Sequence, residues 1–197
     1  MPYSQRFDEA LLYAHQLHRQ QHRKSTGIPY VTHLLAVAAL VGEHGGSEVQ
    51  VIAALLHDAV EDQGGAATGA EIEARFGPEV ARIVYACSDT DVEPKPPWRP
   101  RKEAYIRHLW ELPEDVLLVS IADKLHNART ILMDLYGGND VWKRFSGGKE
   151  GTLWYYRSLQ QVYSARMQGP MVMALQDVLE KLHLMAGVPW PPLDPAV

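Results

Sequence analysis

Apolar residues recur at helical spacing along most of this chain. Phe7, Ala10, Leu11, Ala14 and Leu17 share one face of a helix predicted from about Ser4 to His22. Its histidines His15, His18 and His22 are expected at the solvent or boundary. Gly27 and Pro29 punctuate a loop from Arg23 to Tyr30, and a second helix is predicted from about Val31 to His44, stopping at Gly45-Gly46. Ser47-Glu48-Val49-Gln50 fits a capping box, so the run through Asp62 is predicted as one helix of about four turns. Gln63 to Ala67 breaks it. Thr68-Gly69-Ala70-Glu71 fits another capping box and opens a short helix that Gly77-Pro78 interrupts before helical spacing resumes through about Ser88.

Pro94, Pro96, Pro97 and Pro100 predict a stiff extended loop from Asp89 to Pro100. Helices are then expected over Arg101 to about Trp110, Val116 to Leu135, about Thr152 to Met167, and about Pro170 to Met185, with a Pro-rich tail. Nothing alternates at a period of two, so the predicted class is all-α. The expected organisation is a single domain over 1–197, with a core of about 4–167 followed by the last helix and tail over 168–197.

Composition narrows the chemistry. With 46% apolar and 22% charged residues over 197 positions, the chain has the make-up of one globular domain. A formal net charge of −5 argues against a general nucleic-acid or membrane-surface binder, because both depend on summed basic charge. The lone cysteine, Cys87, allows no intramolecular disulfide and lies on an apolar helical stretch, which predicts a core position and fits a reducing cytoplasm. The N-terminus lacks the basic and apolar segments of a signal peptide, and no run approaches the roughly 18 apolar residues that span a bilayer. A cytoplasmic protein is expected.

The stretch Ala53 to Asp62 departs from that bland picture. A core-like helical run ends in His57-Asp58 and, one turn on, Glu61-Asp62. Taken with His33 and Asp123, His57 and Asp58 form a mixed nitrogen and oxygen donor set that suits Mn2+, Fe2+, Zn2+ or Mg2+, and the absence of a second His-Asp cluster favours one ion. Adjacent helical residues point about 100° apart, so such an ion must sit at the helix edge. A bound cation would acidify water, and Glu61, with Asp62 assisting, is placed to take its proton. Two acids at a helix C-terminus oppose the dipole, which also favours a functional role for them.

Arg23, Lys24, Lys95, Arg99, Arg101, Lys102, Lys143, Arg144 and Lys149 concentrate in loops or loop edges, a distribution suited to a polyanionic small molecule. Tyr30, Trp142, Tyr155 and Tyr156 could stack a base, although helically spaced aromatics are more often core.

Three ordered segments carry a resemblance: Arg23-Lys24 with Gly27 to His33, Leu55 to Asp62, and Ala122 to Thr130. They resemble the HD-type hydrolase domain of RelA/SpoT proteins, and the chain's size is similar to that of the stand-alone small alarmone hydrolases. The resemblance covers roughly residues 4 to 165. It implies a compact HD-domain helical bundle and a hydrolase that uses one divalent ion, usually Mn2+, to convert (p)ppGpp to GDP or GTP and pyrophosphate. His33, His57, Asp58 and Asp123 match its metal ligands, and Glu61-Asp62 match the pair that handles water. Arg23 and Lys24 match pocket cations, Asn127 and Thr130 match residues holding ribose and phosphates, and Tyr155 matches an aromatic near the nucleotide. Gln63 departs from the frequent Glu-Asp-Thr pattern, and Glu93 to Trp98 lacks a clear counterpart, which opens substrate choice. The expected partner is a purine nucleotide with a 3′-pyrophosphate; (p)ppApp, or the 2′-phosphate of NADPH, are alternatives within the reaction class. A nucleotide-binding sensor without turnover and a structural helical protein are the non-enzymatic readings.

Overall fold

In the computed structural model, residues 2–24, 26–90 and 95–190 are described. They form two compact units, drawn from Met1–Pro96 with Leu112–Asp123 and from Pro97–Glu111 with Lys124–Val197. Among the described residues no strand forms; His22 and Pro29 make an isolated antiparallel bridge. This is the all-α class expected. None of the described helices is long and apolar enough to cross a membrane.

The first unit is assembled around a helix buried on all sides beyond its first turn. Helices α1 (Gln5–Leu17), α2 (Val31–Glu43) and α3 (Glu48–Leu56) are followed by α4 (Ala59–Asp62), α5 (Gly65–Phe76) and α6 (Pro78–Cys87). Val51 through Leu56 are all buried, because α1, α2 and α6 pack around α3. Each fully buried Leu or Ile there contributes about 1.5–3 kcal/mol relative to exposure. The predicted capping box is present: Ser47 Oγ accepts from the Gln50 amide at 3.4 Å and Gln50 Oε1 accepts from the Ser47 amide at 2.8 Å. Cys87 is buried, as expected.

Two boundaries in this unit differ from expectation. The helix predicted through Asp62 is broken at His57-Asp58, leaving α4 as a single turn. His57 Nδ1 lies 2.7 Å from the Ala54 carbonyl, the group that takes the Asp58 amide in an uninterrupted helix. The second capping box is absent. Helix α5 starts a turn earlier, after Gly64 reverses the chain at φ +122°, so Thr68 lies inside it with Oγ1 donating to the Gln63 carbonyl at 2.6 Å.

A long helix, α8 (Glu114–Tyr136), is shared by both units. The second unit adds α7 (Trp98–Leu109), α9 (Gly148–Arg166) and α10 (Pro170–Ala186), with α9 packed on α7 and α10. The expected loop to Pro100 is therefore shorter: Asp91–Pro94 lie outside the described residues, and Pro100 sits in the first turn of α7, where no amide donor is needed. Trp98 anchors that turn against Gly147 and Gly151 of the second unit, where an added Cβ would come within 2.6 Å and 3.1 Å of the indole. The Arg99 guanidinium lies 3.3 Å over the Trp154 ring. Helix α9 also begins a turn earlier than expected, so Lys149 is helical, and its Nζ donates to the Ala186 carbonyl at 2.6 Å.

Candidate metal centre and acidic pair

The first turn of α2 supplies His33, the break after α3 supplies His57 and Asp58, and α8 supplies Asp123; all four lie in the first unit. His57 Nε2 is 3.0 Å from Asp58 Oδ2 and 3.6 Å from Asp123 Oδ1, while His33 Nε2 is 3.5 Å and 3.2 Å from the same oxygens. His33, His57 and Asp58 each offer a ligand atom within 4.8 Å of the others. The two histidine rings meet edge to face at 5.2 Å. His57 and Asp58 both keep right-handed helical backbone angles at the break, and their side chains still meet at its edge, with His57 Nε2 3.0 Å from Asp58 Oδ2.

The donor chemistry tests whether a cation fits. His57 Nδ1 faces a carbonyl oxygen and must carry its proton. The Nε2 of a neutral ring then directs a lone pair at two carboxylates, an arrangement that needs positive charge between them. Without a metal, a proton fills that role. Burial opposes the His57 cation, yet Asp58 and Asp123 outweigh it and hold the imidazole well above its ordinary value. Burial likewise opposes the Asp58 carboxylate, but His57 and His33 outweigh it and hold Asp58 well below the carboxylate range. The set fits a divalent cation.

This has a measurable consequence. The raised His57 contributes stability fully present below its unfolded value of 6.5 and lost as pH rises through the folded value. A divalent cation competes with that proton. The gap in Tm between cation-loaded and metal-free protein should therefore widen as pH rises above about 6.5 and reach about 5 °C at a cation concentration 100-fold above Kd. Differential scanning fluorimetry with and without chelator measures it; a gap that shrinks with pH contradicts the site.

The acidic pair forms a second group in the same unit. Lys95 Nζ lies 3.0 Å from Glu61 Oε1 and 3.5 Å from Asp62 Oδ1. Burial, then Asp89 and Asp58, push the Glu61 carboxyl up against the opposing pull of Lys95. For Lys95, burial opposes the charge, and Glu61 and Asp62 outweigh it. Because α4 is one turn with both acids in its first turn, the dipole cost expected at the end of a long helix does not arise.

Several expectations shift here. Tyr30 does not present a free hydroxyl: it donates to Asp58 Oδ2 at 2.6 Å, and burial with the Asp58 charge pushes its phenol up. His18, expected at the boundary, is buried, stacked on Tyr30 at 5.3 Å, with burial lowering its pKa. Its place at the end of α1, facing the Tyr30 ring, gives it an apolar neighbour that the helical pattern could not reveal. Gln21 Nε2 donates to Asp62 Oδ2 at 2.9 Å, a contact with no signature in a polar loop.

Of the expected substrate residues, Arg23, half-buried with its guanidinium 5.6 Å over Tyr30, and exposed Lys24 share the first unit with Lys95. Arg101, Asn127, Thr130, Lys149 and Tyr155 belong to the second. There Thr130 Oγ1 donates to the His126 carbonyl at 3.0 Å, and Tyr155 is buried beneath Lys102, whose Nζ lies 4.8 Å from the ring centre.

Known proteins are similar to this chain in sequence and in fold. The HD domain family profile matches residues 10–137. The zebrafish guanosine-3′,5′-bis(diphosphate) 3′-pyrophosphohydrolase MESH1 is 38% identical over 126 residues, covering 62% of this chain and 67% of that protein. A Brucella melitensis GTP pyrophosphokinase rsh is 40% identical over 129 residues, 63% of this chain, and the match spans 16% of its length. Among solved structures, a metazoan SpoT ortholog that hydrolyses ppGpp aligns over 95% of this chain and 99% of its own at a TM-score of 0.73 and 26% identity. A Listeria monocytogenes structure aligns over 75% of this chain and 96% of its own at a TM-score of 0.67 and 29% identity. This chain belongs to the HD domain family.

Proposed function

We propose that the chain is a metal-dependent 3′-pyrophosphohydrolase of (p)ppGpp, consuming one water and releasing pyrophosphate with GDP or GTP. The observation that carries this is the convergence of two imidazole nitrogens and two carboxylate oxygens within 3.0–3.6 Å, beside an acidic pair, in a chain whose relatives carry that activity in their names. His33, His57, Asp58 and Asp123 would hold the ion, for which Mn2+ is proposed. When bound, it supplies positive charge to phosphate oxygens and acidifies water.

Glu61 takes the proton of the attacking water. Burial, Asp89 and Asp58 raise its pKa, which makes the carboxylate a stronger base toward that proton. Asp62 orients the water, and Lys95 holds the two carboxylates together. Arg23 and Lys24 provide charge for the phosphates. On the second unit, Arg101, Asn127, Thr130, Lys149 and Tyr155 are proposed as nucleotide contacts; for Asn127, Thr130 and Tyr155 the support is the resemblance of their motifs, and for Arg101 and Lys149 it is their charge.

A product-resolved assay of ppGpp, ppApp, their triphosphate forms and NADPH with Mn2+ tests the function. Pyrophosphate from ppGpp is the expected product, released about 1000-fold more slowly by His57→Ala. Preferential release of pyrophosphate from ppApp, or of phosphate from NADPH, reassigns the substrate, and no product from any of them removes the reaction class.

A further inference from the structure

Asp62 is held from outside the metal centre by residues that no ligand or general-base role requires. Gln21 Nε2 donates to Asp62 Oδ2 at 2.9 Å, across a separation of 41 residues. The orientation of the Gln21 amide is set by two further contacts on its oxygen. His18 Nδ1 lies 2.6 Å from Gln21 Oε1, and Gln63 Nε2 donates to the same atom at 2.5 Å. An acceptor engaged in this way fixes Nδ1 as the protonated nitrogen of His18. The backbone joins the same unit: the Gln21 carbonyl accepts from the Tyr30 amide at 2.9 Å, and the Tyr30 hydroxyl holds Asp58. The His18 ring completes the circuit by stacking on Tyr30 with an interplanar angle of 16°.

From this geometry we infer that Gln21 is a positioning residue for Asp62, with its amide locked by His18 and Gln63. The inference rests on the reaction proposed above. Each Asp62 oxygen has its own neighbour, Oδ2 taken by Gln21 and Oδ1 facing Lys95 at 3.5 Å, so the carboxylate plane is fixed before substrate arrives. Water oriented by Asp62 inherits that plane. Gln63 stands where the frequent family pattern has threonine, and here its side chain reaches Gln21 through an amide donor.

Gln21→Glu keeps the acceptor for His18 and Gln63 but replaces the donor to Asp62 with a like charge. In the full Mn2+-loaded chain it should lower kcat for ppGpp about 30-fold with KM and bound metal within about twofold, the range seen when an orienting partner is lost. In metal-free protein, the Gln21 side-chain amide, identified by its disappearance in Gln21→Ala, should show slowed hydrogen exchange by NMR. His18→Ala should abolish that protection. His18→Asn, whose amide nitrogen can replace Nδ1, should keep it and exceed His18→Ala in kcat by about fivefold. If Gln21→Glu does not fold, Gln63→Leu serves in its place, with protection reduced and kcat lowered about threefold. An unprotected Gln21 amide in the wild type overturns the inference, as does full kcat in Gln21→Glu. Wild-type protein that releases no pyrophosphate, yet shows the protected amide and its loss in His18→Ala, removes the proposed reaction and leaves the hold on Asp62 standing.

Discussion

His57→Ala is expected to leave a folded chain that retains no stoichiometric divalent cation after dialysis and releases pyrophosphate from ppGpp about 1000-fold more slowly. The size of the loss follows from the number of interactions that meet at one atom. His57 Nε2 lies 3.0 Å from Asp58 and 3.6 Å from Asp123, so its removal leaves His33 as the one imidazole of the cluster facing the two carboxylates. Carboxylates in that setting attract a proton in place of a metal, and the remaining donors hold a cation weakly. Elemental analysis and single-turnover kinetics on the same preparation check both halves. Retention of one ion per chain with the rate unchanged would show that the reaction does not use this cluster.

The second large effect belongs to Glu61. Glu61→Gln should keep its cation and its KM while lowering kcat about 100-fold, because the amide cannot accept the water's proton. A companion change separates proton transfer from simple packing. The Glu61 carboxyl is pushed up by burial, Asp89 and Asp58, and Lys95 is the group that pulls it down. Removing that charge in Lys95→Met raises Glu61 further. The acid limb of the kcat profile should therefore move to higher pH, with more activity lost at about pH 6 than at about pH 8. An acid limb that stays in place, or moves down, would remove Glu61 as the base.

The residues of the candidate cluster stood out in the sequence more than its local geometry did. Ser47 and Gln50 announced a helix start correctly because a capping box is a local device, complete within four residues. The all-α class followed for a similar reason, since helical periodicity repeats over many positions. The break at His57-Asp58 was not legible. Ala53 to Val60 has the propensity of an unbroken helix, and the interruption depends on a side-chain contact to the Ala54 carbonyl that only the assembled core positions. The pairing of Lys95 with Glu61 and Asp62, 34 and 33 residues away, is equally non-local, and a lysine in a Pro-rich stretch carries no mark of its partner. Burial of His18 was hidden because the residue it stacks on, Tyr30, lies beyond a Gly- and Pro-containing loop. Helix α7 began early because Trp98 found a glycine-lined surface, information held in residues 147 and 151.

The contact between His57 Nδ1 and the Ala54 carbonyl gives one side chain two duties. The ring closes the end of α3 with one nitrogen and faces the carboxylates with the other. A side chain that kept only the metal-facing nitrogen would leave that carbonyl to find another donor, so the helix end and the cation site are tied to one ring. Glu61 closes no such helix end, so Glu61→Gln is expected to leave α3 as it is.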